Sequence, residues 1–320
     1  MLSQQRRQGE VSVRASETSR VLSVQSHVVH GYVGNKSAVF PLQLLGFEVD
    51  SVNTVHFSNH TGYPSFKGTV MTGEELRSTM EGLEANGLVD HTHLLTGYIG
   101  SESVLAAVVE VLGAIRQKNP QAVYVCDPVL GDHGRIYTKP ELVEVYRQVV
   151  VPLANVLTPN QFELELLTGR EAKTDEDILR CVEDLHRRGP ETVVVTSIDD
   201  AQGEHSEGSE IRILASTTRP QDDGLPSRFT LSVPKLGSHF TGSGDLTAAL
   251  LLAWTTETPA RLREAVLRTV SSVYEVLRDT AENGEGNERA FMKTPELRLV
   301  QNQDAIRSPR LRFSDSVRPL

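Results

Sequence analysis

From Val21 onward, short apolar runs of strand length alternate with stretches whose apolar positions recur at helical spacing. VLSVQS (21–26) predicts a first strand, followed by a loop containing Gly31 and Gly34. NKSAVFPLQLLG (35–46) predicts a helix that ends at Gly46, with Pro41 as a kink point. EVDSVNTV (48–55) predicts a second strand, and FSNHTGYPSF (57–66) is too polar and turn-rich to continue it. Helix, strand and helix are then expected over GEELRSTMEGLEANG (73–87), HTHLLTGYI (91–99) and SVLAAVVEVLGAIRQK (103–118). QAVYVCDPVL (121–130) is a near-continuous apolar run, as expected of a strand covered on both faces. TDEDILRCVEDLHRRG (174–189) opens with Thr174 and Asp177 in capping-box spacing and closes on Gly189, and ETVVVTSI (191–198) predicts the next strand.

Strands separated by helices predict βαβ units, hence an α/β fold with a mostly parallel central sheet. Binding sites in such sheets lie beyond the C-terminal ends of the strands, so the polar residues leaving each strand are the ones to inspect. One region breaks the alternation. Residues 200–230 are polar and turn-rich around IRILAS, which predicts a small β-hairpin excursion with mobile loops and a disordered tip near Pro220 to Pro226.

The length of 320 residues suits one large α/β domain, expected over 21–320, with residues 1–20 as a disordered tail. A net charge of −10 argues against a nucleic-acid partner, which needs a basic face. Cys126 and Cys181 form neither a CxxC motif nor a disulfide framework, so a cytoplasmic location is expected. No run reaches the roughly 20 apolar residues of a membrane helix, and the Arg- and Ser-rich start lacks the apolar core of a secretory signal.

Three clusters carry candidate chemistry. In FTGSGDLTA (240–248) two glycines and an acid open an apolar helix. Free N–H groups and the helix dipole make such a start a cradle for anions. The element is neither a P-loop nor a dinucleotide fingerprint, since no Lys-Ser/Thr follows and Thr247 occupies the third glycine position. Asp245 reads either as a helix cap or as a general base beside an anion hole formed by Gly242, Ser243 and Gly244. Asp127 and Asp132 in DPVLGD leave a buried strand and suit Mg²⁺, a hard ion that takes oxygen ligands; solvated turn acids are the alternative. In TPNQFE, Asn160 and Glu163 share one face at a helix start, where they either cap the helix or serve the strand ends.

In this order on alternating elements, the clusters resemble the ribokinase-like superfamily, whose fold is a three-layer α/β/α sandwich. Within it the chain is similar to the pyridoxal kinases of eukaryotic type. The resemblance rests on residues 21–63, LLTGY, VYVCDPVLGD, LTPNQFELELLTG, VVVTS and GSGDLTAALLLAW. It implies ATP-dependent phosphorylation of the 5′-hydroxymethyl group of pyridoxal, pyridoxine or pyridoxamine. Ser26, Thr61, Tyr98 and Tyr137 would contact the substrate, with Val55 and Phe57 lining its pocket. Asp245 would be the base. Asp127, Asn160 and Glu163 would organise ATP and Mg²⁺, with Thr158 beside Asp127 near a monovalent cation such as K⁺. Asp132 would lie by the terminal phosphate, Thr196 and Ser197 would reach phosphate, and Leu236, Gly237 and Ser238 would border the adenine. A homodimer is implied as well.

The lid segment HGRIYTKPE after Asp132 is shorter than in the animal enzymes, which bears on how well the site excludes water. His27, His30, His56 and His60 flank two strand ends without metal-ligand spacing on a helix. Two alternatives stay open: a hydroxymethylpyrimidine- or sugar-type kinase of the same superfamily, and a non-catalytic relative that binds B6 vitamers or nucleotides.

Overall fold

The computed structural model describes residues 19–199, 209–284 and 295–320; residues 1–18 of the tail expected over 1–20, and the loop over 200–208, lie outside them, while Arg20 opens the first strand. Chain order is β1 (Arg20–Val28), α1 (Asn35–Leu44), β2 (Glu48–Phe57), β3 (Gly68–Val70), α2 (Gly73–Ala85), β4 (His93–Thr96), α3 (Glu102–Lys118) and β5 (Val123–Cys126). A lid ribbon of β6 (Gly131–Asp132) and β7 (Arg135–Ile136) follows. Then come α4 (Glu141–Val145), β8 (Val156–Leu157), α5 (Gln161–Thr168), α6 (Asp175–Arg188), β9 (Thr192–Asp199), β10 (Glu210–Thr217) and β11 (Arg228–Pro234). The chain closes with α7 (Ser243–Glu257), α8 (Leu262–Asn283), α9 (Gln303–Arg307) and β12 (Arg318–Pro319).

One ten-stranded sheet runs β12-β11-β10-β9-β8-β5-β4-β1-β2-β3. Its centre, from β2 through β1, β4, β5 and β8 to β9, is parallel. The segment expected to leave the sheet as a hairpin instead joins it: β10 and β11 pair antiparallel with each other and β10 with β9. Its turn, expected to be disordered, is tied down, with Asp222 N–H bonded to Ala260 O and Gln221 Oε1 accepting from Leu262 N–H.

Period-two alternation explains the layering. Leu22, Val24, Leu94, Tyr124, Cys126 and Leu157 point to one face, covered by α2, α3, α5 and α6. Val21, Leu95, Val125 and Val156 point to the other, covered by α1, α7, α8 and α9. Buried Asn35 fixes the entry to α1, since its side chain bonds Ser23 on β1 and both Val52 O and Asn53 on β2. The helix continues through Pro41. Both Thr174–Asp177 and Asn160–Glu163 form capping boxes. Among the described residues no helix is long and apolar enough to cross a membrane.

β2 and β4 lie on opposite sides of β1, so the chain path reverses there. A crevice opens at such a reversal, beyond the C-terminal ends of β1 and β4.

Candidate active site

Asp245 sits in the first turn of α7, beside that crevice. It does not cap its own helix: Gly242 is the N-cap residue, in the left-handed region at φ 86°, and no side chain caps this end. The first amides of α7 are therefore left without a side-chain acceptor, which suits an anion. Asp245 Oδ2 instead accepts the N–H of Gly34, at 2.8 Å, across 211 positions of sequence. A Cβ on Gly97, just past β4, would stand 3.2 Å from Asp245 Oδ1. Burial pushes the Asp245 carboxyl up to about 6, against the opposing bond from Gly34. A carboxyl tuned there is still ionised at neutral pH and is a better base than an ordinary aspartate.

Gly34 makes this geometry possible. Its φ of 53° and ψ of −132° exclude an ordinary side chain, and a Cβ there would overlap Ser26 O and Oγ. Gly34→Ala is expected to lose about 1–3 kcal/mol through backbone strain and to lower turnover by moving the amide off Asp245. Thermal unfolding and kcat measured on one preparation check both, and a variant with wild-type Tm would show that the loop yields.

The second wall carries the remaining acids. Asp127 is 5% exposed where β5 ends, and a Cβ on Gly244 would lie 3.5 Å from its Oδ2. Its pKa is raised well above the ordinary value by burial, then by the charges of Glu163 and Asp245, against a bond from Thr158. Glu163 is 4% exposed. Its Oε1 accepts Leu130 N–H at 2.9 Å and Gly131 N–H at 3.4 Å, and its Oε2 accepts Asn160 N–H at 2.9 Å. Burial outweighs these bonds and lifts its pKa to about 8. Asn160 caps α5 and donates to Gly131 O at 2.8 Å. Capping and the strand-end position thus coexist: the box that starts α5 also holds the strand that begins the lid. Among the described residues no three His, Cys, Asp or Glu side chains converge as a ready-made metal site.

A cleft of about 330 Å³ opens beside the α7 N-terminus, lined by Asp132, Asn160, Thr196, Ser197, Leu236, Ser238, Ser243 and Gly244. Gly237 stands between two lining residues, exposed and facing open space. The far wall is α8, with Val266, Val270, Val273 and Leu277, which sequence reasoning missed. Their heptad-like spacing is indistinguishable from an ordinary core stripe. A smaller cavity of about 190 Å³ lies where the strands begin, among His93, Val123, Val156 and Thr192. No acid lines it, and its polar groups largely bond one another, His93 to Thr256 and Thr192 to Thr217.

Of the residues expected to face the substrate, Ser26 adjoins Gly34, which bonds Asp245, and Tyr98 follows Gly97, which lies beside it. Burial raises the Tyr98 phenol, which remains a neutral donor. Val55 is buried and Phe57 packs on Phe66, with ring centroids 4.9 Å apart. Thr61 is exposed in the turn after β2, and Tyr137 is 56% exposed on the lid. Of the four histidines, His27 stacks on His56 and His60 pairs with Glu296, a C-terminal residue to which nothing in the sequence pattern pointed.

A family model described as phosphomethylpyrimidine kinase matches residues 85–290. The chain is 48% identical over 298 residues to pyridoxal kinase of Arabidopsis thaliana, covering 92% of this chain and 94% of the relative. It is 45% identical over 307 residues to pyridoxal kinase of Homo sapiens, covering 92% and 97%. The solved structure of pyridoxal kinase from Leishmania donovani in complex with ADP and pyridoxamine superposes with a TM-score of 0.83 at 38% identity, over 94% of this chain and 99% of that one. Shared residues at that density over nearly the whole of both chains, on one fold, show that the chain belongs to the pyridoxal kinase family.

Proposed function

We propose that the chain phosphorylates the 5′-hydroxymethyl group of pyridoxal, pyridoxine or pyridoxamine with ATP, releasing the vitamer 5′-phosphate and ADP. The observation that carries it is Asp245, raised to about 6 and held by Gly34 N–H beside an uncapped helix start, between the acceptor-side loops and the cleft. The substrate oxygen attacks the terminal phosphorus, the bond to the β-phosphate oxygen breaks, and the hydroxyl proton passes to Asp245. The α7 amides at Gly242, Ser243 and Gly244 stabilise charge on the transferred group.

Ser26, Thr61, Tyr98 and Tyr137 orient the pyridine ring over Val55 and Phe57. Thr196, Ser197 and Asp132 serve the phosphates, and Leu236 to Ser238 the adenine. Bound with the nucleotide, Mg²⁺ supplies charge neutralisation on the phosphate oxygens. The residues fit such an ion: burial, and then the charges of Glu163 and Asp245, raise the Asp127 carboxyl, so a cation would relieve it. Because Glu163 already accepts three backbone N–H groups, it serves the ion through water and by holding the Leu130–Gly131 turn. Asp127 with Thr158 would lie near a monovalent cation such as K⁺. A cytoplasmic homodimer is part of the reading, with exposed Val29, Phe66 and Val70 as its apolar surface.

The test is formation of pyridoxal 5′-phosphate from pyridoxal and MgATP, followed by its absorbance. Bound pyridoxal without product would overturn the reading. The phosphomethylpyrimidine kinase match supports a second acceptor class, yet its range begins at residue 85 and omits Ser26, Val55, Phe57 and Thr61. A panel of pyrimidine and pyridine alcohols decides between them, with turnover expected on the pyridines.

A further inference from the structure

Glu296 follows α8 on a segment anchored by buried Leu297 and Leu299 in the α1–α7 layer. Arg298 staples the same segment to α8, through its N–H to Thr280 and its guanidinium to Asp279. The carboxylate is therefore presented from a rigid backbone, and its side chain is only 18% exposed. Its Oε2 accepts Tyr32 N–H at 3.0 Å, and its Oε1 accepts the Tyr63 hydroxyl at 2.9 Å. His60 Nε2 stands 3.4 Å from Oε1. Gly62 N–H donates to His60 Nδ1, which leaves the Nε2 proton facing Glu296. The carboxylate also occupies the space a Cβ on Gly31 would need, and Gly31 has a φ of 91°.

Those contacts join two loops distant in sequence. The β1–α1 loop holds Tyr32, whose carbonyl abuts Gly242, and Gly34, whose amide holds Asp245. The β2–β3 loop holds His60, Thr61 and Tyr63. We infer that Glu296 is a positioning residue for the acceptor alcohol, a strut that locks the β1–α1 and β2–β3 loops together so that Asp245 and the substrate-side wall keep one geometry. The inference rests on the proposed reading of Asp245 as base and a pyridine alcohol as acceptor. Burial alone would raise the Glu296 carboxyl, but bonds from His60, the Tyr32 amide and Tyr63 outweigh it and hold it below its ordinary value. The strut is thus ionised throughout the working range of the enzyme.

Removing a charged acceptor that holds Tyr32, Tyr63 and His60 together frees both loops at once. Glu296→Ala is expected to raise KM for pyridoxal by about ten-fold or more and to lower kcat, with KM for ATP unchanged. Glu296→Gln retains one acceptor oxygen and should recover part of the loss. Amide exchange in the absence of substrates should quicken in residues 29–34 and 58–66 of the variant and stay unchanged in α5 and β9. Equal effects on both KM values, or exchange that rises uniformly, would overturn the strut. If the alanine variant does not fold, the glutamine variant carries the same measurements. If the wild type makes no pyridoxal 5′-phosphate, the functional reading fails, and exchange at Tyr32 and Tyr63 still decides the inference by itself.

Discussion

Asp245→Asn is expected to lower kcat by about 10²- to 10⁴-fold, the usual contribution of a positioned general base, with nucleotide affinity nearly unchanged. Asparagine keeps the shape and can still accept the Gly34 amide, so the α7 N-terminus and the cleft should persist. What is lost is the site that takes the hydroxyl proton. Wild-type kcat/KM should also fall as pH drops below about 6, because the protonated Asp245 has no room for a second proton. That descending limb should vanish from the residual activity of the variant. Stopped-flow turnover across pH 5 to 8, with ADP binding by calorimetry, checks both parts. A variant retaining most of its kcat would mean that the proton leaves by another route, such as a phosphate oxygen. Loss of ADP binding would instead assign Asp245 to nucleotide binding.

How far this site could be read from sequence depends on the range of the contacts. The βαβ rhythm, the two capping boxes and GSGD are local patterns, and each appears where periodicity and turn chemistry put it. Asp245 does not cap its helix, and its partner Gly34 lies 211 residues away, a hydrogen bond that no local pattern encodes. The base reading of Asp245 comes instead from the resemblance, which carries the whole residue set at once. Glu296 shows the limit: a lone acid after a helix, 264 residues from Tyr32, has no periodic signature at all. The α8 wall failed for a different reason, since a stripe facing a ligand cleft and one facing the core look alike. Similarly, IRILAS is legible as a strand, yet its place inside the sheet is set by long-range pairing with β9 and β11.

The acid cluster should make the free protein less stable as pH rises, and Asp127→Asn should relieve this. Glu163 and Asp245 have folded-state values of about 8 and about 6, and Asp127 is raised as well. Between the ordinary carboxylate range and these values, the folded state binds more protons than the unfolded chain. Stability therefore falls with rising pH across that window. At about 1.4 kcal/mol per pH unit, Asp245 alone costs about 3 kcal/mol by neutral pH. Buried His93 works in the opposite sense: burial lowers it to about 4, so it stabilises as pH rises towards 6.5 and adds nothing further above that. The clean interval is thus pH 6.5 to 8, where Glu163 still titrates. Over it the wild-type Tm should fall, and Asp127→Asn should be the more stable protein by a few kcal/mol, because a buried carboxyl that is costly to ionise beside two other acids becomes a neutral amide. The same variant should lose most of its activity and need more Mg²⁺, since the buried carboxylate it removes is the one proposed to serve the cation. MgATP should restore wild-type Tm at pH 8 and help the variant much less. A variant no more stable than wild type at pH 8 would mean that its neighbours' charges do not strain Asp127. Instability held in reserve at this position and released on loading with nucleotide and cation would then be wrong for this enzyme.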